Sequence, residues 1–175
     1  IPPRAGRREG PAGAVVFQNP EAHFTTDSVR AELAAVGIPR DVHDRFLNDW
    51  GLCAQGDQHP YTLSMGQKRR LALMLVTATN RWPVIILDEP TAGLDQSGVG
   101  QVANHVRALA KKKRATVVIT HDVDFALSVC DRTIILDKGA IVADGPALQI
   151  LRDTARLEAA GLCSPEVAPL LQMMR

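Results

Sequence analysis

The chain has 175 residues, 46% hydrophobic and 22% charged, and its 20 Lys+Arg nearly balance 19 Asp+Glu. That length holds one domain and is short for two, and a formal charge of +1 argues against a protein built mainly to coat nucleic acid or anionic lipid. The longest apolar stretches, such as Leu71–Val76, fall far short of the roughly 20 residues that span a bilayer, and no leader-like pattern opens the chain. Cys53, Cys130 and Cys163 are odd in number, widely spaced and without CxxC pairing. They predict free or buried thiols in a reducing compartment, not a disulfide framework or a metal site.

In chain order, the Pro-, Gly- and Arg-rich opening IPPRAGRREGPAG predicts a loop. A short strand follows at Ala14–Phe17 and ends at Gln18-Asn19-Pro20, where Pro20 confines its predecessor to extended geometry. From Ser28 to about Trp50, Val29, Leu33, Val36, Val42, Phe46 and Leu47 recur at helical spacing, broken at Gly37-Ile38-Pro39. A further helix opens at Ser64, whose spacing to Gln67 matches the S-x-x-Q capping box. Val84–Leu87 is a continuous apolar run between Pro83 and Asp88, which predicts a strand buried on both faces. A helix over about 97–110 leads to a second such strand at Ala115–Thr120. A helix at Phe125–Cys130 leads to a third, Thr133–Leu136, and Asp137-Lys138-Gly139 reads as a hairpin turn. The last 25 or so residues read as helix, break at 161–165, helix. Strands separated by helices predict a parallel sheet with crossover helices, and so an α/β fold with a helical insertion between its first two strands.

Chemistry concentrates at the strand ends. Asp88 and Glu89 are adjacent carboxylates closing an apolar strand, where like-charge repulsion and desolvation both raise the cost of ionisation. The crevice at the carboxyl ends of parallel strands is where ligands bind. There an Asp can hold Mg²⁺ through oxygen, and a following carboxylate can deprotonate an attacking water. For the pair alone, a plain surface turn and a ligand site both stand. Thr120-His121-Asp122 closes another strand, Gln18 closes the first, and Ser64 opens a helix whose N–H groups and dipole suit an anion. Lys111–Arg114 reads as a solvated helix end, Trp50 and Trp82 read as packing residues, and Lys68-Arg69-Arg70 is open between solvent and interface.

The ordered set FQNPE (Phe17–Glu21), LSMGQKRR (Leu63–Arg70), VIILDEPTAGLD (Val84–Asp95) and THD (Thr120–Asp122) resembles the ATPase subunit of an ABC transporter. Its Q-loop, signature motif, Walker B with D-loop, and H-loop come in that order. FQNPE, DEPTAGLD, IVADG (Ile141–Gly145) and the closing AAGLCSPEVAPLL (Ala159–Leu171) are similar to the energy-coupling-factor (ECF) subgroup, which takes up vitamins and cobalt or nickel ions. The resemblance implies a P-loop NTPase-type α/β fold, an ABC ATPase domain over 1–151 with a helical subdomain at about 19–81, and a helical extension over 152–175.

It also implies ATP and Mg²⁺ as cofactors. Asp88 and Gln18 would be at the metal, Glu89 the general base, and His121 the γ-phosphate contact. Ser64, Gly66 and Gln67 would face the nucleotide of the opposite subunit, and Asp95 would link the two sites. Implied partners are a second ATPase subunit and a transmembrane ECF-type subunit, with no nucleic acid. The membrane would be reached only through those partners, from the cytoplasmic face. Met65 stands where the family usually has Gly. No lysine here fits G-x-x-x-x-G-K-[ST], so the resemblance is to an ABC ATPase without its phosphate-cradling front.

Overall fold

The computed structural model describes residues 11–79, 81–163 and 165. Three strands form a parallel sheet in the order β1 (Gly13–Val16), β2 (Val84–Asp88), β3 (Ala115–Ile119). The register runs Val16↔Leu87 and Asp88↔Ile119, so the carboxyl ends of all three strands lie along one edge.

Between β1 and β2 lie α1 (Val29–Ala35), α2 (His43–Asp49) and α3 (Met65–Thr77), joined by 3₁₀ turns. The break expected at 37–39 is real: Gly37 has φ +87°, a left-handed turn that glycine takes without a Cβ penalty. α3 opens as its sequence dictates. The Gln67 N–H donates to Ser64 Oγ at 3.3 Å and the Ser64 N–H donates to Gln67 Oε1 at 2.9 Å, completing the reciprocal cap. Leu71, Ala72, Leu73, Met74 and Leu75 are all buried, so α3 is enclosed nearly all round and forms the centre of the main core. Val16, Leu33, Leu47, Ile85, Leu87, Val102 and Phe125 pack in the same cluster, each such side chain contributing about 1.5–3 kcal/mol by leaving water.

α4 (Gln96–Lys111) ends in a Schellman turn. The Arg114 N–H donates to Leu109 O, the Lys113 N–H donates to Ala110 O, and Lys113 takes φ +57° at the left-handed position. That turn corrects the expectation for the basic run. Lys111–Lys113 are exposed, but Arg114 is folded inward. Its Nε donates to Trp82 O at 3.0 Å and Nη1 donates to Thr77 O at 2.9 Å, tying the end of α3 to the start of β3.

Two strand expectations also need correction. β3 is not buried on both faces: Val117 and Ile119 are 49% and 52% exposed. The third strand, β4 (Arg132–Asp137), does not extend the parallel sheet. It follows α5 (Val123–Val129) and pairs antiparallel with β5 (Ala140–Pro146). The hairpin turn stands as expected, with positive φ at Lys138 and Gly139 as a tight two-residue turn requires. A second core gathers Val123, Ile135, Ala143, Ile150 and Leu157 from α5, this hairpin, α6 (Ala147–Ile150) and α7 (Thr154–Ala159). Arg107 of α4, donating to Ser128 O, joins the two parts. The helix expected after the break at 161–165 lies outside the described residues.

Candidate active site

The parallel register brings the residues after β1, β2 and β3 to one edge of the sheet. Asp88 closes β2, partly buried. Glu89 follows in a left-handed backbone conformation, φ +46°, which a non-glycine residue adopts only where its surroundings hold it. Six contacts with five residues do so. Its N–H donates to Ile119 O at 2.9 Å, extending the β2–β3 ladder by one residue. Its carbonyl accepts from the Ala92 N–H at 3.3 Å and from Arg69 Nη1 at 2.5 Å. Glu89 Oε1 accepts from the His121 N–H at 3.2 Å and lies 2.8 Å from His121 Nδ1, while Oε2 accepts from Thr120 Oγ1 at 3.3 Å.

The two partners differ in access. The Glu89 side chain is 17% exposed and that of His121 is 79% exposed. The hydrogen bond to Glu89, then the charge of Glu89 and of Asp122, raise the His121 pKa above its ordinary value, against a smaller opposing effect of burial. Nδ1 is the ring nitrogen that Glu89 engages, so the Nε2 side of the imidazole is turned outward.

Gln18 follows β1 and is exposed. Its carbonyl accepts from Arg69 Nη2 at 3.0 Å, so one guanidinium spans Gln18 and Glu89. Arg69 is 4% exposed; burial lowers its pKa, and the nearby charges of Glu89 and Asp88 oppose that only in part. The segment after Gln18 is clamped twice more: Lys68 Nζ pairs with Glu21 at 2.6 Å, and the Phe17 N–H donates to His23 Nε2 at 3.1 Å.

The residues at the start of α3 form a separate group. Ser64 and Met65 are exposed. The loop after β2 packs on them: a Cβ at Gly66 would meet Leu94 Cδ2 at 3.4 Å, and one at Gly93 would meet Met65 Cγ at 3.8 Å. The Gln67 side chain is spent on the cap. Asp95 caps α4, its Oδ1 accepting from the Gly98 N–H at 2.7 Å. Asp88, Glu89, Gln18 and His121 thus share one sheet edge, while Ser64, Gly66, Gln67 and Asp95 belong to the α3–α4 side.

Sequence reasoning missed Arg69, left open between solvent and interface, and Thr120, quoted only as part of a motif. It also missed Glu32, a carboxylate with 1% exposure whose Oε1 accepts the Thr25 and Thr26 N–H groups at 2.5 and 2.7 Å.

The ABC transporter family model matches residues 7–92, which carry the first two motifs and the Val84–Ala92 part of the third. Over that match the chain carries an ABC transporter domain, and its curated relatives are ABC transporter ATP-binding proteins. The energy-coupling factor transporter ATP-binding protein of Mycoplasmoides gallisepticum is 31% identical over 90% of the chain and 52% of its own length. The L-cystine transport system ATP-binding protein of Escherichia coli is 43% identical over 79% of the chain and 58% of its own. Among solved structures, the fold is similar to that of CbiO1 from Clostridium perfringens, part of the ABC transporter complex CbiONQ. The TM-score is 0.65 and the identity 26%, covering 92% of this chain and 66% of that one. The chain spans about half the length of these two curated relatives. The fold is that of an ABC ATPase domain. Among the described residues, no helix is long and apolar enough to cross a membrane.

Proposed function

We propose that this chain provides the water-activating part of an ATP-hydrolysing subunit in an ECF-type ABC importer, coupling hydrolysis to uptake of a vitamin or metal ion. The observation that carries the reading is Glu89: a carboxylate at the end of an inner strand, fixed by its strained backbone and by Thr120 and His121. In this role Glu89 takes the proton of the water that attacks the γ-phosphate. His121 in its imidazolium form, which Glu89 favours, donates Nδ1–H to Glu89 and presents Nε2–H to a γ-phosphate oxygen. Gln18 positions the water and relays the state of the site to the membrane partner.

The donor set suits Mg²⁺. Asp88 and Gln18 offer hard oxygens from adjacent strands, and the described residues hold no group of three or more His, Cys, Asp or Glu able to cage an ion. Such a site fits a metal that takes one or two protein oxygens and completes its shell with phosphate and water. When bound, Mg²⁺ neutralises charge on the phosphates. Ser64, Gly66 and Gln67 would approach the nucleotide of a second ATPase subunit, since they lie on the α3–α4 side, apart from Glu89. Asp95 would link the two sites. The domain reading that goes with this function is an ATPase domain over 1–151 with a helical subdomain at about 19–81, then a helical extension. A transmembrane ECF-type subunit is the expected partner, with attachment to the cytoplasmic membrane face through it.

In the native protein, Glu89→Gln should abolish ATP turnover while ATP binding persists, and the protein should co-purify with a transmembrane subunit. Turnover unchanged in Glu89→Gln would remove Glu89 as the base. Retention on DNA or ribosomes in place of a membrane partner would remove the transport reading.

A further inference from the structure

Arg69 stands out as a buried cation that meets backbone where a carboxylate would be expected. It lies on α3, five residues after Ser64, about 7.5 Å along the helix axis. Its Nη1 and Nη2 donate to the carbonyls of Glu89 and Gln18, which follow two different strands. No salt bridge to Arg69 is formed among the described residues, and its Nε has no hydrogen-bond partner there. Burying a guanidinium on such terms is costly, and a packing role alone would be met by an apolar side chain of similar volume.

We infer that Arg69 is a positioning residue that fixes the backbones of Gln18 and Glu89 relative to α3. The helix start that faces a second subunit and the two strand ends that face phosphate then move as one body. The inference rests on the reading of Glu89 as general base. A planar fork with two parallel donors can hold two carbonyls at a set separation, whereas a lysine ammonium cannot impose that geometry. The Glu89 backbone is strained, so loss of the bridge frees it to relax and swings the carboxylate away from its aim. Misplacement by about 1 Å can cost on the order of 100-fold in rate. The same helix also holds Glu21 through Lys68, so α3 grips the segment after Gln18 at two points.

The test compares Arg69→Met, which keeps much of the volume, with Arg69→Lys in the native protein. Arg69→Met should lower kcat by about 10- to 100-fold with little change in KM for ATP, and Arg69→Lys should recover part of the loss. In nucleotide-free protein, amide hydrogen exchange should quicken in both variants at 17–21 and 88–92 together, with the body of α3 unchanged. Wild-type kcat and exchange in Arg69→Met would overturn the inference, as would a raised KM at constant kcat. Should Arg69→Met not fold, Arg69→Lys decides by the same two readouts. If Glu89→Gln retains turnover, the base assignment fails, while coupled exchange of the two segments still decides the bridge.

Discussion

Proton uptake linked to His105 should begin to destabilise this chain above the pH at which its carboxylates titrate. The ring sits between α4, the end of α3 and Trp50, whose indole centroid lies 4.2 Å away. Thr77 Oγ1 donates to Leu73 O at 2.6 Å and lies 2.7 Å from His105 Nε2. A hydroxyl has one proton, and the carbonyl takes it, so the imidazole Nε2–H is the donor in the second contact. The neutral Nε2–H form therefore satisfies the site without a second proton. Charging the ring is opposed first by burial, then by Lys112 and Arg114, and the pKa falls from 6.5 to about 4. Asp49, which lines a 280 Å³ pocket with Trp50 and His105, does not outweigh these effects.

The sign follows from linkage. The folded pKa lies below the unfolded one, so the unfolded chain binds more protons between the two values, and stability falls as pH falls through that window. A drop of this size corresponds to at most about 3 kcal/mol, with about 2 kcal/mol already lost near pH 5; the partial exposure of the ring makes these upper values. Urea unfolding of wild type and His105→Gln between about pH 7.5 and pH 4.5 isolates the effect, since glutamine can still donate to Thr77 and the carboxylates titrate alike in both. The wild type should lose stability relative to the variant across that range. A difference that stays constant with pH, or grows in favour of wild type as pH falls, would refute the reasoning.

Two further stability predictions concern single polar groups. Glu32→Leu leaves the Thr25 and Thr26 N–H groups, which both donate to one buried carboxylate oxygen, without an acceptor and should cost about 1–3 kcal/mol; a midpoint unchanged in urea would show that water replaces the carboxylate freely. Asp95→Ala removes the cap on Gly98 and should cost about 1 kcal/mol, with Asp95→Asn close to wild type in thermal melting. Equal losses in Asn and Ala would mean that charge, not capping, is what Asp95 contributes to the fold.

The features legible in the sequence are those set by neighbours in the chain. Ser64 and Gln67 cap α3 because three residues separate them, and Gly37 breaks α1 from α2 because it can turn left-handed. What could not be read depends on what covers a segment. The runs at 84–87 and 115–120 look alike as strings of apolar residues, yet Ile85 and Leu87 are buried while Val117 and Ile119 are half exposed. Only the packing around each strand separates them. Arg114 ends a basic run that suits solvent, and the left-handed Lys113 turns it inward onto carbonyls 32 and 37 residues away. Arg69 is hidden in the same way, since its two acceptors lie 20 and 51 residues distant.

Glu89 brings local and long-range effects together. It precedes Pro90, and a residue before proline prefers extended geometry, so nothing in its immediate sequence favours φ +46°. A conformation of this kind costs about 1–3 kcal/mol and persists because contacts from elsewhere outweigh it. Its N–H meets Ile119, its carbonyl meets Ala92 and Arg69, and its two carboxylate oxygens meet His121 and Thr120. Those partners come from α3, from the end of β3 and from the turn that follows β2. An extended Glu89 would continue the line of β2, whereas the left-handed turn directs the carboxylate across to the residues that close β3. Removing any one partner therefore weakens the opposition to that relaxation, and the loss should appear as a change in aim before it appears as unfolding.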